Sequence, residues 1–113
     1  MHEFSVALGI VKIAEKETIK ANKTKVDLIE LEIGSLSGIE INALNYAWDI
    51  AVKDTVLEYS EKKITPLDAK ATCIDCEHEF ILENIYDICP ICESYKKEII
   101  KGKELIVKSL EVS

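Results

Sequence analysis

The sequence has 113 residues, of which 48% are hydrophobic, and this is enough for one modest domain or for a domain with a small appendage. Its 14 basic and 21 acidic residues give a formal net charge of −7, which disfavours nucleic-acid binding, because such affinity comes largely from cationic contacts with phosphate. No apolar stretch is long enough to cross a membrane, and an early acid, Glu3, with Lys12 interrupting the apolar run, argues against a signal peptide. We therefore expect a cytoplasmic protein that neither binds nucleic acid nor inserts into a membrane.

Helical and extended patterns alternate along the first part of the chain. Apolar residues at helical spacing predict helices over residues 4–20 and 40–53, and alternating apolar residues predict a strand over 26–33. A further extended segment is predicted over 56–64, with Pro66 closing it. This order of elements predicts an α+β fold in which helices pack on a sheet.

The apolar residues of these elements define the expected core. In the first helix they are Val6, Ile10, Ile13 and Ala14, with Phe4, Ala7 and Val11 widening the stripe. In the strand they are Ile29, Leu31 and Ile33, and in the second helix Leu44, Ala47, Trp48, Ala51 and Val52.

The composition changes after residue 69, where the cysteines begin, and returns to a strand pattern over residues 104–112. An apolar strand left unpaired is costly, so we expect this last strand to return to the N-terminal sheet. The predicted architecture is a small three-stranded sheet with two helices and an inserted four-cysteine zinc-knuckle domain. Residues 1–68 with 103–113 would form the α+β domain, and residues 69–102 the four-cysteine domain.

Two C-x2-C motifs separated by twelve residues contain every cysteine of the chain. Two such motifs facing each other offer four thiolates in the tetrahedral arrangement that Zn²⁺ accepts, and they leave no coordination position open. The pattern therefore predicts a structural zinc site, with no catalytic residue and no enzymatic activity, at Cys73, Cys76, Cys89 and Cys92.

Other uses of these cysteines are weighed against zinc. A pair of redox dithiols would need a thioredoxin-like context that is missing here, whereas an iron–tetrathiolate electron carrier or a zinc-ribbon interaction module remains an alternative. His78 is expected to be a solvated loop residue, since four thiolates are already available. Glu77 and Glu93 follow the two motifs at positions that tend towards positive φ and often hold glycine, so slight strain is expected there.

A second metal site is suggested by the start of the chain. The Met1 amine, the His2 backbone nitrogen and the His2 Nδ1 can form fused five- and six-membered chelate rings, and Glu3 can complete the set through its backbone nitrogen or its carboxylate. Deprotonated amide nitrogens with an imidazole favour square-planar ions such as Ni²⁺ or Cu²⁺. An ordinary frayed terminus is the alternative.

Together these features resemble the HypA family of nickel metallochaperones for [NiFe]-hydrogenase maturation. The resemblance covers nearly the whole chain and rests on an ordered set of motifs. They are Met1-His2-Glu3 with Ser5, the run from Glu32 to Ile39, Tyr46-Ala47-Trp48, the two cysteine pairs with Cys89-Pro90, Gly102-Lys103-Glu104-Leu105, and Leu110-Glu111-Val112.

The resemblance implies Ni(II) as transferred cargo at Met1, His2 and Glu3, and a structural Zn(II) at the four cysteines. It also implies two partners, a GTPase of the HypB type and the hydrogenase large subunit. The sequence departs from the family pattern at the glycines of the knuckles, at Ile41-Asn42, at Asp54 and at Tyr59-Ser60, and none of these positions is a predicted ligand.

Overall fold

The computed structural model describes residues 2–113, and these residues form two helices and six strands. In chain order they are α1 (His2–Lys20), β1 (Val26–Gly34), α2 (Ile41–Ala51), β2 (Glu61–Leu67), β3 (Ala69–Cys73), β4 (Glu79–Leu82), β5 (Lys97–Lys101) and β6 (Leu105–Val112). Neither helix within residues 2–113 has the length and apolarity to span a membrane.

The first sheet has the strand order β2-β1-β6, so the closing strand does return to the N-terminal sheet. Ile29, Leu31 and Ile33 of β1 are all buried, as their alternation predicts. The five apolar residues predicted for the second helix are buried too. In α1, Ala7, Ile10, Val11 and Ala14 are buried, whereas Phe4 and Val6 are half-buried. Ile13 is 47% exposed, so its assignment to the core was wrong.

The segment between α2 and β2 differs from the prediction. Residues 56–60 form turns rather than a strand: the N–H of Glu58 donates to the carbonyl of Thr55, and that of Ser60 to the carbonyl of Leu57. Leu57 is fully buried, so the turn contributes to the core. The strand begins only at Glu61 and runs through Pro66, which an edge strand tolerates because its outer N–H groups need no partner.

A second three-stranded sheet, in the order β4-β3-β5, was not predicted. Strand β3 pairs antiparallel with both neighbours, placing Ala71 opposite Phe80 on β4 and opposite Ile99 on β5. One face of the sheet is buried in a small cluster that includes two cysteines: Ala69, Ala71, Cys73, Phe80, Leu82 and Cys89. Two of the four predicted metal ligands, Cys73 and Cys89, thus make up part of the core of this region.

The chain separates into two compact units. One contains residues 1–31, 39–65 and 106–113, and the other contains residues 32–38 and 66–105. The second unit therefore includes the segment 32–38, which the sequence division had placed with the first domain. The division into a nickel-binding and a zinc-binding domain stays a prediction.

Two glycines of the second unit pack where no side chain fits. Gly102 has φ +116°, and a Cβ built on it would lie 2.3 Å from the Cβ of Ala69. A Cβ on Gly34 would lie 2.1 Å from the carbonyl oxygen of Gly102. This close approach lets the N–H of Leu36 donate to the carbonyl of Gly102 over 2.7 Å. Leu36 also packs against the buried cluster of the second sheet.

Candidate metal centres

The two C-x2-C motifs fold into turns with matching hydrogen bonds. In the first, the N–H of Cys73 donates to His78 and that of Glu77 donates back to Cys73, both over 2.9 Å. In the second, Cys89 donates to Ser94 over 3.0 Å and Glu93 donates to Cys89 over 2.9 Å. Each turn closes through a residue in the left-handed region: Glu77 has φ 64° and Glu93 has φ 62°. The positive φ expected at these two positions is therefore present in the structure.

The four sulfurs converge on one point, all within 4.8 Å of one another. The closest pairs join the two turns, at 3.5 Å between the Sγ atoms of Cys73 and Cys92 and 3.6 Å between those of Cys76 and Cys89. These distances exceed the S–S bond of about 2.05 Å in a disulfide. They lie close to the separation of about 3.8 Å that a tetrahedral site with 2.3 Å metal–sulfur bonds requires. The residues present therefore fit a tetrathiolate metal centre.

Before any metal binds, the thiols differ in how readily they ionise. Desolvation opposes ionisation of Cys89, but N–H groups of Cys92 and Ile91 point at its sulfur and lower its pKa to about 7. For Cys92, the N–H of Ser94 favours the thiolate, but contact with the Cys73 sulfur and desolvation outweigh it and raise the pKa to about 12. Four adjacent sulfurs cannot all carry charge without a cation, so protons compete with metal for this site as the pH falls.

The four cysteines differ in burial. Cys73 and Cys89, the first residue of each motif, are fully buried, whereas Cys76 and Cys92 are exposed. The same arrangement in both motifs places one sulfur of each in the core cluster. His78 is exposed and is not part of the group of side chains close enough to share an ion.

At the other predicted site, His2 and Glu3 lie in the first turn of α1, and Met1 lies outside the described residues. The side chain of His2 is 65% exposed, and its Nδ1 is 3.8 Å from Oε2 of Glu3, whose side chain is 20% exposed. The first four N–H groups of a helix have no intrahelical acceptor, so the backbone nitrogens of His2 and Glu3 are not committed to the helix. The positive end of the helix dipole also favours loss of a proton there.

Glu40 is bonded to the start of α1, and no motif in the sequence points to this role. Its N–H donates to Oε2 of Glu3 over 3.2 Å. Its own carboxylate caps α2, accepting from the N–H groups of Asn42 at 3.2 Å and Ala43 at 2.6 Å. The N–H groups of Glu40 and of Glu3 itself hold the pKa of the Glu3 carboxyl below its usual value. The available signal was an acidic residue at the predicted start of the second helix.

This fold and the four-cysteine centre define a small metal-binding protein built on an α+β scaffold. The family model described as hydrogenase/urease nickel incorporation, metallochaperone, hypA matches residues 1–112. The chain therefore belongs to the HypA family, as the sequence motifs predict, and its α+β fold class is confirmed. Since the family is one of metallochaperones for hydrogenase maturation, the prediction that the protein is not an enzyme is confirmed as well.

Individual relatives are similar to this protein along nearly its whole length. The hydrogenase maturation factor HypA of Francisella philomiragia is 41% identical over 110 residues, covering 97% of each chain. That of Parabacteroides distasonis is 40% identical over 112 residues, covering 99% of this chain and 97% of the relative. The solution structure of the Ni metallochaperone HypA from Helicobacter pylori has the same fold, with a TM-score of 0.72 at 24% identity, covering 97% of this chain and 96% of that one.

Proposed function

We propose that this protein binds Ni(II) at its N-terminus and delivers it during [NiFe]-hydrogenase maturation, while its four cysteines hold a structural zinc ion. Family membership supports the cargo and the process. The observation that carries the location is the hydrogen bond from Glu40 to the Glu3 carboxylate, which anchors residues 2 and 3 at the start of α1. An anchored terminus presents its ligands at lower entropic cost than a frayed one.

The proposed nickel ligands are Met1 through its amine, His2 through its backbone nitrogen and Nδ1, and Glu3 through its backbone nitrogen. The Glu3 carboxylate accepts from the N–H groups of Glu40 and of Glu3 itself, so it lies beside the backbone nitrogen that would bind the ion. Nitrogen donors of this kind suit square-planar Ni(II). Because the ligands must lose protons to bind, acidification promotes release of the cargo.

The metal at the four cysteines stabilises the fold and is not transferred to a partner. Two of its sulfurs belong to the core of the second unit, so the metal replaces apolar contacts that this small sheet lacks. Four thiolates with no open position suit structural Zn(II). Iron in the same four-sulfur site would colour the protein, so visible absorption and metal analysis together distinguish the two metals.

Nickel titration of untagged, zinc-loaded protein tests the nickel site. We expect His2→Ala to abolish nickel binding while one zinc per chain and the fold remain. One residue added before Met1 should have the same effect, because it converts the amine into an amide. His78→Ala replaces the other histidine of the chain and is the matched control, in which both metals should bind normally. Unchanged nickel affinity in His2→Ala would refute the proposed site.

Delivery requires partners, and we propose a GTPase of the HypB type and the hydrogenase large subunit, encountered in the cytoplasm. The test is transfer of nickel from the loaded protein to metal-free large subunit, with and without the GTPase. Wild-type protein should transfer the ion, and His2→Ala should not. Transfer at the rate of free nickel would count against a delivery role.

A further inference from the structure

One part of the second unit carries almost all of the net charge. Residues 71–95 contain no lysine or arginine and six carboxylates, those of Asp75, Glu77, Glu79, Glu83, Asp87 and Glu93. The rest of the chain has 15 acidic and 14 basic residues and is therefore close to neutral. No ion pair to a lysine or arginine neutralises these six carboxylates within residues 2–113. The net negative charge is thus concentrated in this stretch, and Lys96 and Lys97 directly follow it.

The same stretch exposes an unusual amount of apolar surface. Seven of its large apolar side chains are exposed: Ile74, Ile81, Ile85, Tyr86, Ile88, Ile91 and Tyr95. The most exposed around the two turns are Ile74 at 62%, Ile91 at 66% and Tyr95 at 72%. Single exposed apolar residues need no explanation, but a group of them among charges of one sign is typical of an interaction surface.

Contacts between the two cysteine turns hold these residues on one surface. The hydroxyl of Ser94 donates to Oδ2 of Asp75 over 2.5 Å, and the N–H of Ile74 donates to the carbonyl of Lys96 over 3.0 Å. Tyr95 lies between Ser94 and Lys96, so these two bonds place its backbone beside the first turn. Ile91 precedes Cys92, whose sulfur is 3.5 Å from that of Cys73, the residue before Ile74. We name the resulting surface the knuckle cap; its residues are Ile74, Asp75, Glu77, Ile91, Glu93 and Tyr95.

Backbone strain singles out two carboxylates of the cap. Glu77 and Glu93 both have left-handed backbones, a conformation in which glycine is favoured over residues with a Cβ. Keeping a charged side chain at both positions therefore lowers stability. Asn22 and Asp54 share this conformation outside the cap, so the strain alone does not mark a partner site. What the two glutamates add to the cap is negative charge on the cysteine turns themselves.

We propose that the knuckle cap is a docking surface for a cationic amphipathic helix of a partner protein. The apolar side of such a helix would cover Ile74, Ile91 and Tyr95, and its lysines or arginines would face the carboxylates. A polyanion is repelled by this surface, and a second copy would place two caps of the same sign together. Docking at the knuckle cap does not depend on nickel binding at the N-terminus. Experiments can therefore refute either proposal without affecting the other.

The test uses zinc-loaded, ¹⁵N-labelled full-length protein and a synthetic 14-residue helical peptide of leucine and lysine with an apolar face. We expect saturable amide shifts within residues 73–96. A peptide of the same composition but scrambled order should bind at least about tenfold more weakly, because it has no apolar face. Equal binding of both peptides would mean simple charge attraction and would overturn the proposal, as would shifts centred on residues 2–31 or 39–65.

Matched variants separate the two components of the surface. Replacing both Ile74 and Ile91 with serine should weaken binding about tenfold, while Ile50→Ser, at a residue of α2 that is 58% exposed, should change nothing. Glu77→Gln with Glu93→Gln should weaken binding about fivefold and reduce its salt dependence. Zinc content and the amide spectrum show whether each variant folds. If replacing Ile74 and Ile91 with serine causes loss of zinc, the variant with Glu77→Gln and Glu93→Gln tests the docking surface instead.

The remaining control concerns charge and self-association. Glu15→Gln with Glu58→Gln removes two carboxylates outside the cap and should leave peptide binding unchanged. If it weakens binding as much as the cap variant does, net charge alone attracts the peptide and the cap is not a site. Sedimentation of the free wild-type protein should show no self-association that is lost when Ile74 and Ile91 are both replaced with serine. Such association would identify a second copy as the occupant and would contradict the proposal.

Discussion

The strained turns of the cysteine motifs lead to a quantitative prediction: Glu77→Gly and Glu93→Gly should each tighten zinc binding. Both residues have φ near +60°, at 64° and 62°, where a side chain crowds the following carbonyl oxygen. Glycine removes this crowding and keeps the turn, because the closing bonds from these residues to Cys73 and Cys89 use only backbone atoms.

The expected size follows from two opposing terms. Relief of the left-handed conformation contributes about 1–2 kcal/mol, and the greater freedom of glycine in the unfolded chain costs about 0.4–1 kcal/mol. The net gain is about 0.5–1 kcal/mol at each position. Since metal binding and folding of this unit are coupled, this corresponds to zinc affinity about two- to fivefold higher. The two turns share one metal ion, so the double variant need not give the sum of the two effects.

Competition with a chromophoric chelator measures the zinc affinity, and thermal unfolding measures the stability. Glu77→Gln is the matched control, because it removes the charge but keeps the strain, and its affinity should stay near that of the wild type. Glu98→Gly places a glycine in β5, away from positive φ, and should lower stability instead. If Glu77→Gly binds zinc no more tightly than Glu77→Gln, the strain argument is wrong.

Two further predictions concern the glycine contact and the anchored terminus. Gly102→Ala should lower the free energy of unfolding by more than about 2 kcal/mol, because its Cβ would meet Ala69. Gly9→Ala should raise the free energy of unfolding by about 0.5–1 kcal/mol, because α1 has open space at this position. Thermal melts of the two variants measure both changes. The pKa of Glu3 is lowered in the folded chain, so its bond from Glu40 is fully formed above the ordinary value of 4.5 and is lost as the pH falls through the lowered pKa. The Glu40 amide shift should follow this titration in wild type and not in Glu3→Gln; an identical pH profile in both would exclude the carboxylate as its acceptor.

The sequence predicts the structure correctly where apolar residues recur at a regular spacing and so form one buried face. The apolar stripe of α2 and the alternation in β1 predict both the elements and their buried sides, since these periodicities reflect one buried face. The cysteine spacing likewise predicts that four sulfurs lie together, because two short turns leave few ways to arrange them.

The pattern failed where local side-chain bonds or long-range packing decide the structure. Residues 56–60 are apolar enough for a strand, but side-chain bonds from Thr55 and Ser60 to nearby carbonyls favour turns. The second sheet has strands of four or five residues with alanines on β3, too short and too small for a clear alternation. The contact between Glu40 and Glu3 joins residues 37 positions apart, and no local pattern could indicate it.

The strand order of the first sheet has a consequence for how the protein is made. Strand β1 pairs with β6, and the 70 residues from 35 to 104 lie between them. The sheet can be completed only when β6 has left the ribosome, and closing a flexible loop of this length costs roughly 4 kcal/mol of entropy. Zinc captured by the insert during synthesis would compact most of that loop before β6 arrives. The entropic cost of pairing β1 with β6 would then be smaller, because fewer flexible residues would separate the two strands.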